Sequence, residues 1–210
     1  MLKVDNNKLI TLEEAQNILK FAKRIYTGRF DGVTIELSDE FAYYPNQLKI
    51  TIAEEFADEA EENTVLDILK HVNNEFNADF DINLRSVSIQ ALLHEMGHHI
   101  DFDGKMFTGQ FDDYMEENCF CRAIFSDLSK EFSNRVDDYY ERLLDLSIEE
   151  KEDEEIIFEM KEKEIELVEF EKFLDDSYRR IPAEYAADEF SARFFMTYLR
   201  GYKKCNYQVC

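Results

Sequence analysis

The chain has 210 residues, with 47 Asp and Glu against 24 Lys and Arg, for a formal net charge of −23. So acidic a surface repels phosphate backbones and anionic lipid, which excludes nucleic-acid binding through a basic face and electrostatic docking on a membrane. A hydrophobic content of 45%, including 18 Phe and 11 Tyr, nevertheless supports a folded core. No apolar run is long enough for a transmembrane helix or a secretory signal, so a cytoplasmic protein is expected. Cys119 and Cys121, and Cys205 and Cys210 in the tail, lack zinc-finger spacing and read as free thiols.

With 6 Gly and 2 Pro the composition favours helix. Thr11 to Glu14 forms a capping box before apolar positions at helical spacing (Leu12, Ala15, Ile18, Leu19, Ala22, Ile25), and Gly28 is a candidate stop. Residues 33–37, 41–44 and 48–53 are rich in β-branched and aromatic side chains and predict the strands of a small sheet. Thr64 is expected to cap a helix reaching about Phe76, and Ser86 or Ser88 another reaching about Asp101. Residues 113–146 mix aromatic and charged residues at helical spacing. Residues 145–176 hold 15 acidic and 4 basic residues, a net −11, yet keep an apolar stripe of helical period. The spacing predicts a long solvated helix there. Pro182 suits the first turn of a last helix over 183–199. The fold class expected is α+β: mostly helical, with a small N-terminal sheet, in one domain over 1–210 that carries 112–180 as an acidic helical insertion.

The motif with chemical content is His94-Glu95-Met96-Gly97-His98, an HExxH sequence in a chain with only 4 His. The preceding SVSIQALL is apolar and helix-compatible, so the motif falls on a buried helix. Histidines at i and i+4 share one face of it and point at one ion. Glu95 is rotated about 100° from His94 and reaches a water on that ion without ligating it. A zinc site needs a third protein ligand, and the downstream HIDFDGKMFTG holds no histidine at the metzincin spacing. The best candidate lies in Pro182-Ala183-Glu184-Tyr185-Ala186-Ala187-Asp188, where Glu184 and Asp188 are four apart in an otherwise apolar stretch. Buried carboxylates need partners. A metal on Glu184 and a histidine N–H on Asp188 satisfy both, with Asp188 accepting from His94. His71 and His99 have no comparable context.

HExxH with a downstream glutamate helix resembles the gluzincin metallopeptidases. EYAADEFSARFFM is similar to the E-x-x-A-N/D-x-F-A pattern of ImmA/IrrE-type enzymes. HEMGHHID followed by AEYAADEFSARF is similar to the catalytic domain of anthrax lethal factor and its relatives. The resemblance covers about 94–104 and 182–196, and the spacer from His98 to Glu184 is much longer here than in those families. It implies a zincin-like fold with one Zn2+ held by His94, His98 and Glu184, and Glu95 as general base. It also implies a tyrosine before the glutamate helix as oxyanion donor, for which Tyr178 is the nearest match and Tyr185 a substitute. An edge strand that binds extended peptide is implied too, with 48–53 (Leu48, Ile50, Ile52) in that part.

The expectation is a zinc-dependent endopeptidase cutting a specific intracellular protein or peptide, with the acidic segment selecting basic substrates or partners. Two other readings compete: an acidic decoy that mimics DNA before a basic protein site, and a zinc-stabilised protein without catalysis.

Overall fold

The computed structural model describes residues 8–56, 59–148 and 154–200. In chain order these form α1 (Leu12–Ile25), β1 (Thr34–Ser38), β2 (Ala42–Tyr44), β3 (Lys49–Ala53), α2 (Glu59–Phe76), α3 (Leu84–Thr108), α4 (Phe111–Ile148), α5 (Glu154–Arg179) and α6 (Pro182–Phe194), which runs into a π-helical turn over Phe195–Leu199. The class is α+β and mostly helical. None of the described helices is long and apolar enough to cross a membrane. Cys119 is exposed and Cys121 half-buried, both as free thiols; Cys205 and Cys210 lie outside the described residues.

Where one domain with an insertion is expected, the chain divides into two compact units. The first comprises 1–111 and 185–210, the second 112–184. In the first unit, α1 starts at the capping box: Thr11 accepts from the Glu14 N–H while Glu14 Oε2 accepts from the Thr11 N–H at 2.9 Å. Its end comes at Tyr26, before Gly28, which takes a left-handed φ of 82° in the turn beyond. Glu14 also forms an ion pair with Arg85 of α3. Burial raises the Glu14 carboxyl, but the Arg85 guanidinium and the Thr11 donors outweigh it and hold the group below its ordinary range.

The sheet has the order β1-β3-β2. β1 runs parallel to β3 (Ile35 opposite Ile50) and β2 antiparallel (Tyr43 opposite Ile50). This corrects the assignment of 48–53 as a peptide-binding edge. β3 is the central strand, both of its sides are hydrogen-bonded within the sheet, and Ile50 and Ile52 are 0% exposed in the core. Leu48 precedes the strand, in a left-handed conformation (φ 48°) that closes a 3-10 turn. Among the described residues, the outer strands are β1 and β2.

Two helix starts differ from expectation. α2 begins at Glu59, because the Glu- and Ala-rich residues before Thr64 are good helix formers, so Thr64 lies inside the helix. Asn83, not Ser86 or Ser88, caps α3, its side chain accepting from the Ser86 N–H at 2.9 Å. Ser88 instead accepts from the Ile10 N–H at 2.9 Å and donates to the Arg85 carbonyl, tying Ile10, two residues before α1, to α3. The core of this unit joins α1, the sheet, α2 and α3 to the end of α6. Phe194 is fully buried there, and Phe195 stacks on Phe80 at 3.8 Å.

The second unit is built on α4 and α5. Phe132 stacks on Phe170 at 5.8 Å and Phe125 meets Tyr178 at 5.2 Å, which sets an antiparallel pair of long helices. Arg135 lies over the Phe170 ring at 4.5 Å. Asn118 fastens α4 to the start of α6 by accepting from the Ala183 N–H at 3.0 Å.

Candidate metal centre

His94, Glu95 and His98 occupy the middle of α3, flanked by fully buried Leu92, Leu93 and Met96. Their ligand atoms lie within 4.8 Å of one another. The two imidazoles stand nearly perpendicular, with centroids 4.6 Å apart, as i,i+4 side chains on one helix face do.

His94 is oriented from α6. Its Nδ1–H donates to Asp188 Oδ1 at 2.8 Å, which puts any ligand role on Nε2. Asp188 is 1% exposed and also accepts from Gln90 Nε2 at 3.3 Å. A buried carboxylate beside Nδ1 favours positive charge on the imidazole, and an ion on Nε2 would supply it from across the ring. Among the described residues, His94, Glu95 and His98 thus form a group whose ligand atoms are close enough to hold a metal ion, and imidazole nitrogens are donors that suit zinc.

Gly97 explains how α6 comes so near. A Cβ at this position would stand 2.7 Å from Ala187 Cα and 2.9 Å from its carbonyl oxygen, too close for any side chain. The glycine inside HEMGH thus admits the backbone carrying Asp188. Sequence reasoning missed this role, and it missed Gln90. The available signals were a glycine in mid-helix, where it lowers stability by about 1 kcal/mol, and a polar residue one turn before His94.

His99 is buried on the other side of α3. Its Nε2–H donates to the Arg29 carbonyl at 2.5 Å, Nδ1 accepts from the Tyr43 hydroxyl at 2.7 Å, and Phe30 lies 5.2 Å away. Burial holds the imidazole below the usual histidine value, partly offset by the Arg29 carbonyl. Burial and the charge of Asp103 push Tyr43 up to about 12, so it remains a donor through the neutral range. With both nitrogens engaged, His99 is a tie between α3, β2 and the residues after α1.

No protein-family model, curated protein or solved structure matches this chain.

His94, Glu95, His98 and Asp188 thus lie together in the first unit. Tyr185, also in that unit, is 43% exposed with its ring 5.2 Å from Phe76. Glu184 and Tyr178 belong to the second. There the Glu184 carboxylate is 2% exposed and accepts from Arg122 Nη2 at 2.5 Å. Glu184 and Asp188 are four residues apart on α6.

Proposed function

We propose that this chain is a zinc-dependent endopeptidase of the gluzincin type, acting on protein or peptide substrates. The observation that carries the reading is the convergence of His94, Glu95 and His98 on a buried helix, with His94 held through Nδ1 by buried Asp188. In this reading His94 and His98 hold the ion through their imidazoles, and Glu184 is the third protein ligand. A bound ion would supply Lewis-acid polarisation and would make a water more acidic. Glu95 takes the proton of the attacking water and returns it to the leaving amine. Asp188 and Gln90 keep His94 in the tautomer and orientation that ligation needs. Tyr178 is the proposed hydrogen-bond donor to the developing oxyanion. An extended substrate would add to an outer strand; β2 is the one tied to α3, through Tyr43 and His99.

Elemental analysis of the purified chain tests the ligand set. Wild type and Glu95→Gln should each carry one zinc per chain, and His98→Ala and Glu184→Ala should lose it. Retention of full zinc by His98→Ala would overturn the assignment.

A further inference from the structure

Within the second unit, α5 carries an apolar stripe that stays exposed among the described residues. Phe158, Ile165 and Val168 are 63%, 59% and 60% exposed. At i, i+7 and i+10 they lie along one face for about three turns. That face is turned away from α4, because the side chains packed inward are Met160 and Leu174, both buried, and Phe170, stacked on Phe132. Numbered as heptads, 158, 161, 165, 168 and 172 are the successive seam positions of this outer face, with Lys161 and Lys172 completing the row. Between 158 and 172 the positions that flank the seam are Glu162, Glu164, Glu169 and Glu171. All four are acidic and exposed.

We propose that this outer face of α5 is one half of a heterotypic coiled coil, whose partner is an amphipathic helix with an apolar seam flanked by Lys or Arg. Charge selects the partner. Flanking positions set pairing preference in coiled coils, and an all-glutamate set repels another copy of itself. The unit as a whole strengthens the bias, with 25 acidic and 10 basic residues over 112–184, a net −15. Lys161 and Lys172 interrupt the apolar row and specify register, since each needs an acidic or amide side chain opposite it.

The test titrates the full chain into a labelled three-heptad synthetic peptide with Ile and Leu at its seam positions and Lys at every flanking position, read by fluorescence anisotropy. The lysine peptide should bind, and more weakly as salt rises. Two control peptides, one with Glu at the flanks and one with Ser in the seam, should not bind. Ile165→Asp with Val168→Asp should weaken binding by about tenfold or more, with an unchanged circular dichroism spectrum because both side chains are exposed. As an independent variant, Glu164→Lys with Glu171→Lys should lose the lysine peptide and gain the glutamate one. Equal binding by the Asp variant or by the Ser-seam peptide would reduce the effect to net charge and overturn the proposal. So would absence of binding, or a stable homodimer of the free chain in sedimentation.

Discussion

His94 has one nitrogen committed to Asp188, and that commitment gives the proposed site its first residue-scale prediction. Asp188→Ala should lower zinc affinity by about 10- to 100-fold, measured by competition with a chromophoric chelator, because the imidazole loses both its fixed tautomer and a compensating charge. Unchanged affinity would remove Asp188 from the site. Gly97 provides the second. Placing a methyl group 2.7 Å from Ala187 Cα overpacks the crossing of α3 and α6. Gly97→Ala should therefore lower stability by about 1–3 kcal/mol in urea titration and weaken zinc binding with it. The histidine pair was legible in the sequence because i,i+4 spacing on one helix needs no tertiary information. Asp188 was legible as a carboxylate stranded among Ala and Phe. Gly97, Gln90 and Tyr43 were not, because their roles exist only once α6 or β2 arrives beside α3.

At the scale of elements, caps and register decide what forms. Asn83→Ala removes the acceptor for the Ser86 N–H and should cost about 1 kcal/mol, while Ser86→Ala leaves the cap intact. The Glu14–Arg85 tie between α1 and α3 makes a pH prediction. The Glu14 carboxyl is lowered from 4.5 in the folded chain, so the unfolded chain binds its proton first as pH falls. The advantage of wild type over Glu14→Gln should be complete above that value and vanish as pH drops through the folded one, read as thermal midpoints across an acid series. The three strands were legible to within a residue at each end, from β-branched and aromatic runs. The place of 48–53 within the sheet was not. Its run of Ile50, Thr51, Ile52 and Ala53 is buried on both faces, which marks a central strand, and resemblance alone had put it at the edge.

For the whole molecule, charge separates two roles. Of the formal −23, −15 belongs to 112–184, so the acidity is mostly a property of the second unit and not of the helix that carries HExxH. The decoy reading draws on the former and leaves the convergent His94, Glu95 and His98 unexplained. The peptidase reading accounts for that convergence and for buried Asp188 together. The most direct test is a comparison of new N-termini after a cell extract is incubated with zinc-loaded wild type or with Glu95→Gln, the metal content of each measured in the same preparation. The account predicts equal zinc, a defined set of new termini with wild type, and none with the variant. The same termini from a Glu95→Gln protein that still holds its zinc would contradict it.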